Sequence, residues 1–353
     1  MTGFEKWLLK NMPRFGCALY AFKHSSDRDY FQRAVRTDSL ILKCDSFGDE
    51  NPDRNIYMIR MGDRNSGFFA EYHKLLKYLY YADRFHLTPV VRFTDAFLYS
   101  EDHPVNGTDN PFEYYFDQPG GISTGSADES RNVFRAEHIH TMISDLIDKK
   151  KNDYEVRDEY INILGDIASR YIRLNKDTEK IIGDAVKEIG ADDHTIGVHY
   201  RGTDFKRGLK DHPRFVPIEE YRKKVSALLD RGDYDKVFLA TDSKEALSEF
   251  KSAFDDRLVY FDNNTRSGGD VSVAFSGSER KDHHYLLGLE VLRDMMVLSG
   301  CGALVAGLSQ VSLAARITKA SKKEEYKDLE IISKGISYDA PDGRKYYKEY
   351  GNK

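Results

Sequence analysis

At 353 residues, the chain is longer than a single hydrophobic core usually supports, so two domains are expected. Hydrophobic residues make up 40% and charged residues 31% of the sequence, which is typical of a globular protein and excludes an intrinsically disordered one. The net charge of -5 gives no general attraction to a polyanion, so nucleic acid is not an expected partner.

The three cysteines, Cys17, Cys44 and Cys301, are far apart in the sequence and form no CxxC or Cys/His cluster. This usage is typical of a reducing compartment, so a cytoplasmic location is expected and a disulfide framework is not. We recognise no signal peptide, and no run reaches the ~18 apolar residues that would span a bilayer.

The first 22 residues combine large apolar side chains with Lys6, Lys10 and Arg14. Their spacing would place several apolar residues on one side of a short helix beside these cations. We favour docking of this helix on the protein's own core, and peripheral association with a membrane surface is the alternative.

In the next part of the chain, hydrophobic spacing predicts a strand, a glycine-bounded loop, a helix and a second strand, at 55–61, 62–67, 68–85 and 89–93. This order is typical of half a Rossmann-like sheet. The irregular stretch 94–128 is more typical of a binding loop than of a linker. Further helices are predicted at 134–150, 154–173 and 177–189. We place an N-terminal α/β domain with a helical segment at 1–190 and a C-terminal Rossmann-like domain with a C-terminal tail at 191–353.

Strands and helices alternate through 191–320, which predicts a parallel, doubly wound sheet. The predicted strands are 195–198, 236–240, 257–261 and 303–306. The predicted helices begin near 217, 244, 284 and 309. The Gly/Ser-rich stretch 264–281 is expected to be a loop, and the charged residues 321–353 are expected to cover the surface.

Polar residues follow each of these strands, and the carboxyl ends of parallel strands line one crevice. The residues expected to meet there are His199, Arg201, Asp242, Asp262 and Ser309. Arg201 is the candidate phosphate ligand, because the arginine fork donates two parallel charge-assisted hydrogen bonds.

Each of these residues also has a simpler structural interpretation. Asp204 could pair with Arg201 and orient it, and His199 could be a core histidine. Asp242 and Ser309 could be helix N-caps, although Ser309 could also hold phosphate at a helix N-terminus.

Several chemistries lack their motif in this sequence. No GxGxxG, Walker lysine, GxSxG or HExxH pattern occurs, so a dinucleotide enzyme, a P-loop NTPase and a zinc protease are unsupported. Two DxD patterns, at 27–29 and 233–235, are expected by chance in a chain with 58 acidic residues. We therefore expect no metal.

Residues 196–204 resemble the GVHxRxTD signature of the core α1,6-fucosyltransferases and the nodulation-factor fucosyltransferases. The resemblance continues through 217–221, 237–242, the Asp262-Asn263 pair and 309–311, and Gly67 resembles the end of that family's glycine-rich loop. It implies a GT-B-like α/β fold, in which two Rossmann-type domains enclose a cleft. The domain at 1–190 would lie on the acceptor side, and the domain at 191–353 would bind the donor nucleotide. The resemblance also implies metal-independent, inverting transfer of fucose from GDP-fucose to a glycan acceptor.

The resemblance implies that Arg201 holds the β-phosphate and that His199 and Asp262 contact the guanine end. Asp242, Ser309 and Gly67 would line the donor site. Arg201 and Asp204 are the catalytic candidates, since developing diphosphate charge must be stabilised without a metal.

Three departures separate the chain from the family pattern: Gly202 replaces a second arginine, Phe205 replaces a lysine, and Leu209 stands where the base is proposed. The candidates for a substitute base are Asp211, His212, Glu113 and Asp102. Two further interpretations stay open, namely another nucleotide-sugar donor and a glycan-binding protein without turnover. A bacterial-type enzyme acting on a surface polysaccharide or a lipid-linked oligosaccharide fits the sequence better than N-glycan core fucosylation.

Overall fold

A computed structural model describes residues 3–12, 44–136, 152 and 154–339, together with the single positions 15, 18, 19, 22, 23, 346, 349 and 350. The described chain forms two β-sheets flanked by helices, so the predicted fold class, two α/β domains with a cleft between them, is confirmed.

The first sheet has the order β1-β4-β2-β3. Its strands are β1 (Cys44–Asp45), β2 (Ile56–Met61), β3 (Thr88–Phe93) and β4 (Val133–Ala136). β2 pairs in parallel with both β3 and β4, and β1 is antiparallel to β4. Four consecutive residues of β2 are buried, as expected for a strand covered on both faces.

The helices of this half are α1 (Gly3–Asn11), α2 (Phe68–Arg84), α3 (Thr124–Ala127), α4 (Asp158–Tyr171) and α5 (Lys176–Ile189). α2 follows the predicted spacing, and its buried side chains include Phe69, Tyr72, Leu76 and Leu79. It joins β2 to β3, which gives the predicted strand–loop–helix–strand unit.

The second sheet has the order β7-β6-β5-β8-β9, and all of its pairs are parallel. Its strands are β5 (Thr195–Tyr200), β6 (Lys236–Thr241), β7 (Leu258–Val259), β8 (Ala303–Gly307) and β9 (Asp328–Ile332). Its helices are α6 (Ile218–Asp230), α7 (Lys244–Phe254), α8 (His283–Gly300) and α9 (Gln310–Ser321). The chain builds outward from β5 to β7 and then returns to the other side of β5, so the strand order reverses between β5 and β8.

One continuous core joins the two halves. Leu164 and Ile167 of α4 belong to the same buried cluster as Leu313 and Ile317 of α9. A Cβ on Gly165 would lie 3.0 Å from the Ala320 Cβ, so glycine allows α4 and α9 to approach closely. The cleft therefore has a packed floor that fixes one sheet relative to the other.

The structure corrects three local predictions. Residues 134–136, predicted to begin a helix, belong to β4, and the rest of that predicted helix (137–150) lies outside the described residues. The predicted strand 257–261 is only Leu258–Val259. The charged C-terminal stretch contains β9. Two acidic residues of β9 form ion pairs, Asp328 with Arg231 and Glu330 with Lys224.

Within the described ranges, no helix is both long enough and apolar enough to span a membrane.

Candidate functional site

A cavity of about 390 Å³ lies between the two halves of the protein. The first half contributes the α2 N-terminus, Leu98 and Tyr99, and the second half contributes the loops after β5 and β8. Of the residues predicted from the sequence, this cavity brings together Gly67, His199, Arg201, Asp204 and Ser309.

His199 and Ser309 meet across the point where the strand order reverses. His199 is in β5 and Ser309 directly follows the β8 end, and the Nδ1 and Oγ atoms are 3.1 Å apart. Ser309 is also the N-cap of α9, where its Oγ accepts a hydrogen bond from the Ser312 N–H at 3.0 Å. Ser309 is therefore a helix N-cap, and it also lies in the cavity wall.

The imidazole of His199 is neutral over the physiological range. Burial, and then the nearby charge of Arg201, lower the pKa of His199 to about 3. A neutral ring beside Ser309 presents one donor and one acceptor nitrogen, and the contact with Ser309 orients the ring toward the cavity.

Two carboxylates hold the guanidinium of Arg201. Its Nη2 is 2.8 Å from Asp204 Oδ1, and its Nη1 is 3.0 Å from Asp242 Oδ2. Burial alone would lower the pKa of Arg201, but the charges of Asp204 and Asp242 raise it above its ordinary value. Arg201 also donates from Nη2 to Ser272 Oγ at 3.1 Å, so its head group is fixed before any ligand binds.

Asp242 accepts hydrogen bonds from the loop after β5 and does not cap a helix. Its carboxylate accepts hydrogen bonds from the Gly202 N–H at 2.9 Å and the Thr203 hydroxyl at 2.7 Å. The N-cap of α7 is instead Ser243. Asp242 therefore orients Arg201 through both an ion pair and the backbone that carries it.

Gly202 leaves no room for the second arginine of the family pattern. A Cβ at this position would lie 2.6 Å from the Ser243 Cβ and 2.6 Å from Tyr200 Cε1. Tyr200 is buried, and Ser243 is fixed as the α7 cap, so neither can move aside freely.

Phe205 separates Arg201 from His212 along the cavity wall. The Arg201 guanidinium lies 5.8 Å from the centroid of the Phe205 ring, whose other neighbour is the His212 ring at 6.1 Å. Asp211 and His212 both line the cavity. Leu209 is buried, so the position where the resemblance places a base holds a core residue.

The N-terminus of α2 forms the facing wall. Its N-cap is Gly67, which has no side chain that could accept hydrogen bonds from the first-turn N–H groups. Residues 65–70 line the cavity. Lys74, one turn further on, also lines it, and its Nζ donates to Ser66 Oγ at 3.1 Å and to Glu71 at 2.6 Å. The positive end of the helix dipole therefore faces the same space as Arg201.

A smaller branch of about 70 Å³ leaves the cavity beside Arg201 and ends near Asp294 of α8. Burial raises the pKa of the Asp294 carboxyl to about 7, against the lowering effect of Arg293 and the hydrogen bonds from Asn264. The Asn264 amide donates to both carboxylate oxygens, at 2.9 and 3.0 Å. No sequence pattern indicates this buried acid, because one aspartate among the apolar residues of a helix is usually on its solvent face.

The structure does not bring Asp262 into this space. Asp262 is exposed beyond the end of the edge strand β7, and it is not among the residues that line the cavity or its branch. Two of the candidate bases also lie elsewhere. Glu113 accepts hydrogen bonds from Thr108 and Gln118, and the Asp102 side chain is 98% exposed beside His103.

Tyr346, which lies near the C-terminus, contacts a loop that lines the cavity. The Ser272 N–H donates to the Tyr346 hydroxyl at 3.1 Å, and Ser272 is the residue that contacts Arg201. Arg207 lies between the Tyr346 and Tyr350 rings, at 5.0 and 5.3 Å from their centroids. Tyr346 thus fixes the Gly/Ser-rich loop against the site.

In the part of the chain that the structure describes, no group of three or more His, Cys, Asp or Glu side chains is arranged to hold a metal ion. Arg201 contributes a fixed positive charge to the cavity wall beside the sheet.

A strand-order reversal, polar residues at the strand ends and a cleft against a second sheet define a class: two-domain α/β proteins that bind their ligand at the switch point. No protein-family model matches the sequence, and no curated protein matches it.

Solved structures do match. A NodZ α-1,6-fucosyltransferase co-crystallised with GDP is 14% identical, with a TM-score of 0.45, over 75% of this chain and 92% of that one. The fucosyltransferase NodZ from Bradyrhizobium is 14% identical, with a TM-score of 0.43, over 76% and 93%. POFUT1 in complex with GDP is 11% identical, with a TM-score of 0.45, over 79% and 98%. Similarity of this degree assigns neither a family nor an activity to the chain.

Proposed function

We propose that the protein is a glycosyltransferase that transfers fucose from GDP-fucose to a glycan acceptor with inversion and without a metal ion. The observation that carries the proposal is the position of Arg201. It is a partly buried, pre-oriented guanidinium at the switch point of a parallel sheet, and it faces the N-terminus of α2 across the cavity. The motif resemblance over 196–204 supports the same assignment.

The diphosphate would lie between Arg201 and the first turn of α2. Both groups attract anions, one through its charge and the other through backbone N–H groups and the helix dipole. Because Asp204 and Asp242 already hold the guanidinium, no reorganisation is needed as charge develops on the leaving diphosphate. Arg201 would supply the positive charge that a metal ion supplies in other transferases.

The purine would enter the branch that ends at Asp294. Guanine presents two adjacent N–H donors on one edge, and an ionised carboxylate accepts both of them. The branch begins beside Arg201 and His199, so a nucleoside diphosphate could bridge both regions. Adenine and uracil lack this pair of donors, so Asp294 would favour guanine.

The acceptor hydroxyl would approach from the side of Phe205 and His212. In the reaction, the acceptor oxygen attacks the fucose anomeric carbon, the bond from that carbon to the β-phosphate oxygen breaks, and GDP leaves. The hydroxyl proton passes to a base, for which the cavity offers His212 and Asp211. The His212 Nδ1 is 3.0 Å from the Lys210 carbonyl oxygen, a contact that orients the ring.

Calorimetry with GDP, UDP and ADP tests the donor part of this proposal, in the presence of EDTA. We expect GDP to bind and the other two to bind at least tenfold more weakly, since only guanine pairs with a carboxylate in this way. Release of GDP from GDP-fucose in the presence of candidate glycans then tests turnover. Absence of GDP binding would refute the donor assignment, and tight GDP binding without turnover would favour a glycan-binding protein.

A further inference from the structure

Exposed apolar side chains are concentrated near the N-terminus. Ten large hydrophobic side chains are exposed among the described residues, and six of them lie between residues 4 and 22. The six are Phe4, Trp7, Met12, Phe15, Leu19 and Phe22. Exposed apolar patches of this kind mark a surface that another apolar phase covers.

The helix α1 already contacts the protein, and this contact does not cover its aromatic residues. Leu8 is 3% exposed, whereas Phe4 and Trp7 are 64% and 53% exposed. The rings of Phe4 and Trp7 stack with their centroids 6.3 Å apart, because positions three apart share a side of a helix. Leu8 is therefore buried, whereas Phe4 and Trp7 form an apolar face that is open to solvent.

The charge of the segment identifies what would cover that face. Residues 1–23 contain the cations Lys6, Lys10, Arg14 and Lys23 and the single acid Glu5, although the whole chain has a net charge of -5. A cationic segment with Trp and Phe is the composition that lies in the headgroup region of a bilayer, where cations attract anionic lipids.

We propose that the segment 3–22 binds the surface of a membrane that contains anionic lipids and does not cross it. The absence of any helix suited to span a bilayer among the described residues is compatible with a surface contact. The proposal does not depend on the donor, the acceptor or turnover, so it can fail or hold independently of the proposed function.

The chain offers an intrinsic probe for this surface, because Trp7 is its single tryptophan. Tryptophan emission shifts to shorter wavelength when the indole enters the headgroup region. The full chain is titrated with phosphatidylcholine vesicles, with and without phosphatidylglycerol, and flotation of the protein is measured on the same samples. We expect a blue shift and flotation with the anionic vesicles, both weakened by added salt.

Paired substitutions locate the contact. Phe15→Ser and the charge reversal Lys10→Glu should each weaken partitioning roughly tenfold. Phe47→Ser is the matched control, since Phe47 is 51% exposed and lies outside the segment, and it should leave partitioning unchanged. Far-ultraviolet circular dichroism is used to check that each variant is folded.

Three results would overturn the proposal. The first is an unchanged Trp7 emission and no flotation with anionic vesicles. The second is equal binding to vesicles without phosphatidylglycerol, because the cations would then have no role. The third is a blue shift that depends on protein concentration in the absence of vesicles, which would assign the patch to a contact between copies of the chain.

Discussion

The imidazole of His199 and the hydroxyl of Ser309 join two strand ends that the chain reaches 110 residues apart, with 3.1 Å between Nδ1 and Oγ. His199 lies in β5 and Ser309 directly follows β8. The contact therefore spans the point between these adjacent strands where the strand order reverses. Because Ser309 is also the α9 cap, the helix end and the ligand-facing ring are positioned by the same atom.

His199 should make the fold sensitive to acid. Its pKa is about 3 in the folded protein and 6.5 in the unfolded chain, so the unfolded chain binds the extra proton and stability falls as pH drops below 6.5. At 1.36 kcal/mol per pKa unit, about 2–3 kcal/mol should be lost between about pH 6.5 and pH 4.5. Urea unfolding of wild type and His199→Asn at several pH values checks this. The free energy of unfolding of the variant should fall less over the same pH range.

The control for this measurement is His86→Asn. His86 is exposed and has a φ of 54°, a conformation that asparagine tolerates, so the pH dependence of unfolding should match that of wild type. An identical pH dependence in His199→Asn and wild type would contradict the buried, neutral state of His199.

Arg201→Ala should weaken GDP binding by about 2–5 kcal/mol, because it removes a partly buried cation and leaves Asp204 and Asp242 facing the diphosphate. Arg201→Lys keeps the charge but loses the fork, so it should recover part of this energy. Calorimetry gives both affinities. If both variants bound GDP as wild type does, the phosphate would lie elsewhere.

GDP binding should release a proton when the pH is below about 7. The Asp294 carboxyl has a pKa of about 7 and must ionise to accept the guanine N–H groups, so affinity should rise between about pH 6 and pH 8. Calorimetry in two buffers of different ionisation enthalpy measures the proton directly.

The matched variant for this linkage is Asp294→Asn. It should bind GDP at least tenfold more weakly, because the asparagine amide N–H would face an N–H donor of guanine. The GDP affinity of this variant should no longer depend on pH. Proton release that persisted in this variant would have to come from another group.

Gly202→Ala should destabilise the protein by about 1–3 kcal/mol through overpacking against Ser243 and Tyr200. Gly268→Ala is the control, because nothing lies within 4 Å of its added Cβ. Thermal unfolding of both variants checks this. Equal stability of the two would mean that the loop after β5 can move away, and that an arginine could be accommodated at this position.

The sequence predicted the parts of the site that follow central strands. Apolar runs marked β5 and β8, so Arg201 and Ser309 could be placed at one sheet edge. Asp262 was placed by the same rule, but β7 is the edge strand and ends at Val259, so its carboxyl end lies far from the reversal. The rule therefore placed the residues after β5, β6 and β8 correctly and failed at the short edge strand.

Residues that reach the site from a helix or a distant segment could not be predicted. Asp294 is buried by packing around α8, which no local pattern reveals. Tyr346 bonds Ser272 from 74 residues away, and such a contact has no signal in either segment alone. The expected cytoplasmic location, the acceptor and the domain boundary at residue 190 stay predictions.

The last prediction separates His212 from Asp211 as the base. If His212 accepts the proton, His212→Gln should lower kcat by 10²–10⁴-fold, in the usual range for general-base catalysis, with little change in GDP affinity. Asp211→Asn is the matched control, because Asp211 lines the same cavity and adopts a φ of 62° that asparagine also accepts. Single-turnover release of GDP measures kcat, and calorimetry measures the GDP affinity of the same samples. A large loss of kcat in Asp211→Asn, with His212→Gln close to the wild type, would assign the base to the carboxylate.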